Sequence, residues 1–192
     1  IRHAESTNNK TWAEKRDETL RVPDPGLTEL GRTQARTLAG WFPGFTPRPT
    51  HVFSSPFIRA LETAAPVAES LGVDVMVRAD LMERSGPFTG PIMDHRHHPG
   101  SPRSVLQKVS PRILLPDDVT EDGWWKGPFE TRDQAIERAM QLATWLRKDF
   151  GPDDCVALVS HGAIGSLLAT ALFCPSELSR RSGQIMGETS SW

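Results

Sequence analysis

The stretch Cys155-Val156-Ala157-Leu158-Val159-Ser160-His161-Gly162 decides the fold of this chain. A continuous apolar run of about five residues followed by turn residues predicts a buried strand of a parallel sheet. After His161 the apolar residues recur at spacings of three and four, which predicts a helix. These apolar residues are Ile164, Leu167, Leu168, Ala171 and Leu172. Strand, tight turn and helix in this order, when repeated, form a βαβ pattern.

The same order occurs earlier in the chain. The short apolar run His51-Val52-Phe53 leads into Ser54-Ser55-Pro56, and apolar residues follow with helical spacing. Ile1-Arg2-His3 fits the end of a further strand. Because ligands of open α/β sheets bind beyond the carboxyl ends of the strands, His3, Arg59 and His161 should share one crevice. We therefore expect a three-layer α/β/α fold with a mostly parallel central sheet between helices.

Short capping motifs predict where the neighbouring helices and strands begin and end. Thr28 is a suitable cap for a helix over 27–42, and Gly72 ends a helix before a strand at 73–77. The sequence Thr131-x-x-Gln134 predicts a capping box for a helix that ends near Gly151.

The residue types at the expected crevice suit a phosphate. Arginine offers charged, bidentate donors for phosphoryl oxygens, and two of these residues, Arg2 and Arg59, stand at strand-to-helix turns. Histidine titrates near neutrality, so one copy can be a neutral nucleophile while another donates hydrogen bonds as a cation. Gly162 opens a helix whose N-terminal N–H groups favour an anion. The combination predicts a site for a dianionic phosphate with an imidazole placed to attack it.

These motifs resemble those of a known family. Arg2-His3-Ala4-Glu5-Ser6 resembles the Arg-His-Gly-Glu-Ser motif of the histidine phosphatase (phosphoglycerate mutase-like) superfamily. Further segments match that family in order along nearly the whole chain. They are Asn9, Asp24 to Gly31 with its Leu-Thr-x-x-Gly pattern, Ser54-Ser55-Pro56 with Arg59-Ala60, Leu81-Met82-Glu83-Arg84, and Ser160-His161-Gly162.

The resemblance implies a role for each matching residue. His3 is the nucleophile that becomes phosphohistidine, and Glu83 donates a proton to the leaving oxygen before acting as a base toward water. The transferring phosphoryl group is bound by Arg2, Arg59, His161 and Asn9. Neither a metal nor another cofactor is implied. Two other carboxylates, Glu62 and Glu5, compete with Glu83 for the acid role, although Glu5 better suits bracing of the turn.

The resemblance leaves the reaction and the substrate open. It implies a phosphomonoester hydrolase that acts through phosphohistidine on a phosphorylated small molecule or phosphopeptide. The alternatives are a phosphotransfer mutase and a non-catalytic phosphate-binding scaffold, although a scaffold needs neither a nucleophile nor an acid. The chain carries Lys10-Thr11-Trp12-Ala13-Glu14-Lys15-Arg16 where glycolytic mutases have a Gly-Trp segment, which argues against that activity.

Composition sets limits on other functions. The 192 residues fit one domain, and a net charge of −2 gives no general affinity for nucleic acid. The two cysteines have no metal or disulfide spacing, which indicates a reducing, cytoplasmic setting. No apolar stretch approaches the ~18 residues of a membrane span. Since the family's sheet needs further strands, we expect residues before Ile1 and after Trp192.

Residues 84–129 are the hardest to interpret, and we expect them to form an insertion over the site within one domain covering 1–192. The histidines at 95, 97 and 98 lie in a loop without partner cysteines, which favours a solvated or anion-attracting rim over a metal site. Trp124-Trp125 fits either a lid or an anchor for the long loop. Ser55 fits either a phosphate contact or a turn.

Overall fold

A computed structural model describes residues 1–91 and 93–178 of the chain. The elements follow one another as α1 (Thr7–Lys15), α2 (Glu29–Trp41), β1 (His51–Ser54), α3 (Ile58–Leu71), β2 (Val75–Val77), β3 (Phe88–Thr89), β4 (Arg96–His97), α4 (Arg103–Gln107), β5 (Ile113–Leu114), α5 (Arg132–Asp149), β6 (Val156–Val159) and α6 (Gly162–Phe173). The strand expected after Trp192 lies outside the described residues.

The central sheet is parallel, as the sequence predicts. Its strand order is β5-β2-β1-β6, and each neighbouring pair runs in the same direction. Residues 1–3 continue the sheet beside β6, because Ser160 N donates to Ile1 O and His3 N donates to Ser160 O, each at 2.9 Å. The carboxyl ends of β1, β6 and this first segment therefore meet at one edge.

Helices cover both faces of the sheet. Successive residues of a strand point to opposite faces, and on β1 Val52 faces one apolar cluster while Phe53 faces another. The first cluster is built mainly by α2 and α3, and the second by α5 and α6. This arrangement confirms the predicted three-layer α/β/α fold with a mostly parallel sheet.

The predicted caps form as expected. The Thr28 hydroxyl accepts from Gly31 N at the start of α2, and Gly72 ends α3 in the left-handed conformation. Thr131 and Gln134 form the reciprocal capping box of α5. The helix α1 was not predicted from the sequence, because residues 10–22 carry no apolar stripe. A capping box between Ser6 and Asn9 starts this helix instead, and none of its residues is buried.

Residues 84–129 divide into two parts. The first part holds the β3–β4 hairpin and contributes to the wall of the site described below. The second part returns to the sheet, where β5 pairs with β2 as the edge strand. A stretch expected to form an insertion over the site thus also completes the central sheet.

Candidate active site

His3 is fixed at the sheet edge with one ring nitrogen toward a cavity. Its Nδ1 lies 2.7 Å from Ala4 O, and a carbonyl can only accept, so Nδ1 carries the proton. Its Nε2 accepts from Arg59 Nε at 3.1 Å and therefore carries the lone pair. This tautomer, assigned from the hydrogen-bond partners, presents Nε2 as the nucleophilic atom.

Arg59 connects the two histidines. It lies in the first turn of α3, where its guanidinium packs 4.0 Å from the centre of the Phe57 ring. Its Nη2 donates to His161 Nδ1 at 3.2 Å, and His161 Nε2 donates to Ser55 Oγ at 2.8 Å. The rings of His3 and His161 are 5.1 Å apart. One half-buried arginine thus holds both imidazoles in orientation.

Both imidazoles are kept neutral. Burial, followed by the charge of Arg59, lowers the pKa of His3 to about 4. The same two causes lower the pKa of His161 well below its ordinary value. The expectation of one cationic imidazole is therefore wrong for this state, because a buried ring beside a guanidinium resists a second positive charge.

Glu83 lies at the N-terminus of α6. Its carboxylate accepts from Ala163 N and Ile164 N, each at 3.3 Å, and from Arg84 N at 2.8 Å. A helix N-terminus favours a carboxylate because its first N–H groups have no partner within the helix. The turn that carries Glu83 therefore faces the same edge of the sheet as His161.

A buried ion pair holds this turn in place. The Arg138 guanidinium makes two hydrogen bonds to Glu130, at 2.7 and 2.6 Å, and also donates to the carbonyls of Asp80 and Met82. The Ser160 hydroxyl donates to Leu81 O at 2.7 Å. Consecutive residues just before Glu83 are thus bound to α5 and to the end of β6.

The competing carboxylates have structural partners. Glu62 accepts from Leu27 N and from Arg32, and Glu5 accepts from the Thr28 hydroxyl. Gly31 lies so close to the Glu5 carbonyl that a side chain there would collide with it. Glu5 therefore fastens the start of α2 to the loop after His3, and Glu62 fastens it to α3.

Most of the predicted site residues surround one cavity of about 420 Å³. Its wall includes Arg2, His3, Asn9, Arg59 and Glu83. His161 does not line this cavity, because it lies behind Arg59. The Asn9 Oδ1 accepts from the Ser6 backbone and hydroxyl, so this side chain also has a structural role.

The family model for the histidine phosphatase superfamily (branch 1) matches residues 1–190. The chain belongs to the histidine phosphatase superfamily. Solved structures with the same fold include mycobacterial glucosyl-3-phosphoglycerate phosphatase, with 23% identity and a TM-score of 0.56 over 88% of this chain and 76% of that one. Another is the phosphoserine phosphatase of Entamoeba histolytica, with 19% identity and a TM-score of 0.55 over 94% and 82% of the two chains.

One curated relative is longer than this chain. The chain is 28% identical over 156 residues to the transcription factor tau 55 kDa subunit of Saccharomyces cerevisiae. The match covers 78% of this chain and 34% of the yeast protein, so the chain spans about a third of the length of that relative.

Several residues of this candidate site were not predicted from the sequence. Arg21, Trp12 and Phe88 line the outer part of the cavity. Asp24 accepts from Ile58 N at 2.9 Å, which ties the loop before α2 to the start of α3, and burial raises the pKa of this carboxyl. Asp24 begins the matched Asp24–Gly31 segment, but no motif marked Arg21 or Phe88, because their contact forms only when residues 10–24 and the β3–β4 hairpin fold together.

The structure also shows where the tryptophan pair and the histidine cluster lie. Trp124 is buried against Phe57, with ring centres 5.0 Å apart, so it anchors its loop beneath Arg59 and His161. His95 Nε2 lies 3.2 Å from His97 Nε2 on the exposed hairpin. Among residues 1–91 and 93–178, no group of three histidine, cysteine or acidic residues could hold a metal ion. Across the same residues, no helix is long and apolar enough to cross a membrane.

Proposed function

We propose that this chain is a phosphomonoester hydrolase that forms a phosphohistidine on His3. The observation that carries the proposal is the state of His3: a neutral imidazole whose lone pair on Nε2 faces a cavity lined by Arg2, Arg59 and Glu83. A nucleophile, cationic phosphate ligands and a carboxyl group on one wall are the parts that phosphoryl transfer to a side chain requires.

In the first step, His3 Nε2 attacks phosphorus and the bond to the ester oxygen breaks. Glu83 supplies the proton that converts the leaving oxygen into an alcohol. Arg2 and Arg59 bind the transferring phosphoryl oxygens, with Asn9 as a further donor at the rim. The ring of His3 becomes positively charged, and the Ala4 carbonyl stabilises it through the Nδ1 proton.

In the second step, water attacks the phosphohistidine and gives its proton to the Glu83 carboxylate. Inorganic phosphate leaves, and His3 returns to its neutral form. His161 contacts the phosphoryl group once Arg59 turns its donors onto the phosphoryl oxygens. None of these steps needs a metal ion, since the charges of the arginines stabilise the transferring group.

The test is hydrolysis of an aryl phosphate by the purified chain in the presence of EDTA. We expect turnover that survives the chelator and is inhibited by vanadate, which mimics the five-coordinate phosphoryl group. Loss of turnover on chelation, with recovery on adding a divalent metal, would contradict the proposal. Phosphoryl transfer to an added alcohol rather than to water would indicate a mutase instead.

A second candidate is a phosphate-binding scaffold within a larger assembly. The similarity to a transcription factor subunit favours it. The same assay separates the two candidates, because a scaffold binds phosphate competitively with vanadate and releases no alcohol. A catalytic rate no higher than that of the His3→Ala variant would favour the scaffold.

A further inference from the structure

The outer part of the cavity holds an arginine that the proposed chemistry does not use. Arg21 follows the short 3-10 helix Glu18–Leu20, and its guanidinium lies 4.5 Å from the centre of the Phe88 ring. Trp12 and Asn8 of α1 line the same part of the cavity. This wall belongs to residues 8–22 and to the β3–β4 hairpin, away from the strand ends that carry His3.

Arg21 is half-buried without an anionic partner in contact. Within the described residues its guanidinium makes no hydrogen bond, and no carboxylate lies within 4 Å of it. Burial lowers the pKa of Arg21, while the more distant charges of Glu18 and Glu83 raise it. A guanidinium removed from water without a hydrogen-bonded anion is unfavourable, and a bound anion relieves that cost.

The charges around the cavity exceed what a phosphoryl group needs. The charged lining residues among those described are four arginines (Arg2, Arg21, Arg59 and Arg84) and two glutamates (Glu18 and Glu83). His3 is neutral, and Glu83 is also neutral when it carries the proton that the first step requires. The lining then has an excess of three positive charges, one more than a phosphoryl dianion neutralises.

We propose that Arg21 binds a carboxylate on the leaving alcohol, so that the substrate class is a phosphomonoester whose alcohol carries one further negative charge. The position supports this assignment, because Arg21 lines the same cavity as Arg59 and Glu83. A planar guanidinium supported on an aromatic face is well suited to two parallel hydrogen bonds to a carboxylate. This inference rests on the proposed phosphatase activity.

The experiment compares paired substrates. Each substrate is a carboxyalkyl phosphate with one to four methylene groups. Its matched partner is the hydroxyalkyl phosphate in which CH₂OH replaces the carboxylate. For one chain length, we expect a higher kcat/KM for the carboxylate substrate than for its hydroxyl partner. The difference should arise mainly from a lower KM. In Arg21→Met that preference should fall by about 10-fold to 100-fold, as expected for a lost charge-assisted hydrogen bond.

The control is Arg16→Met. Arg16 lies over the Trp12 ring at 5.5 Å but does not line the cavity, so the preference should stay within about twofold. Equal losses for both members of each pair in Arg21→Met, or no preference for any carboxylate in the unmodified chain, would overturn the subsite while leaving the phosphatase intact. Absence of turnover with every substrate, including the partners that lack the carboxylate, would overturn both.

Discussion

Lowering the pH from 7 to 5 should destabilise the fold, because His3 stays neutral in the folded chain and becomes protonated in the unfolded chain. The folded pKa of about 4 lies below the ordinary value of 6.5. Between these two values the unfolded state binds more protons than the folded state, so stability falls as the pH falls. The penalty begins near pH 6.5 and is complete below about pH 4.

The magnitude follows from the two pKa values. Proton linkage gives a loss of about 2 kcal/mol from His3 between pH 7 and pH 5. For a chain of this length such a loss lowers the Tm by about 4–8 °C. His161 adds a loss of the same sign, since its pKa is also lowered.

The assay is urea unfolding followed by tryptophan fluorescence at both pH values, for the unmodified chain and for His3→Asn. The variant cannot take up a proton at this position, so its loss of stability should be smaller by about 2 kcal/mol. Titrating groups that do not contact His3 cancel in the comparison. An equal loss in the two proteins would show that His3 is protonated normally in the folded chain, and would refute the reasoning about its burial.

Three further predictions test other parts of the molecule. Glu83→Gln should slow phosphoenzyme formation by about 10²–10⁴-fold for alkyl phosphates but far less for a nitrophenyl ester. Burst kinetics measure this step. Equal slowing of the two esters would place the acid elsewhere. Arg138→Met should lower the free energy of unfolding in urea by about 3–5 kcal/mol, because it leaves Glu130 buried without its partner. The double variant Arg138→Met, Glu130→Met should recover much of that loss. Gly100→Ala, at a φ of +81° against a buried indole, should cost about 1–3 kcal/mol, whereas Gly40→Ala has open space and should cost nothing; similar effects at both glycines would contradict the packing described.

The sheet and the inner site were predictable because their signals are local. Apolar runs that end in His161 and Ser54 define the strands, and parallel strands bring their carboxyl ends to one edge. The caps at Thr28 and Thr131 lie within four residues of the groups that they satisfy. Such short-range contacts depend little on how distant parts of the chain fold.

The outer wall was not predictable, because its contacts join distant parts of the chain. Arg21 meets Phe88 only once the 10–22 segment and the β3–β4 hairpin have folded together. Arg138 reaches the turn before Glu83 across 56 and 58 positions of sequence. The charge of His161 depends likewise on burial and on Arg59, which spacing alone does not reveal.

The central claim is that the phosphoryl group passes through His3, and trapping the intermediate tests it most directly. The purified chain is mixed with a ³²P-labelled phosphomonoester, quenched within one turnover, and digested to locate the label. A label on the peptide that contains His3, stable in alkali, lost in acid and absent from His3→Ala, is the result that we predict. A label on serine or cysteine, or unchanged turnover by His3→Ala, would contradict the account.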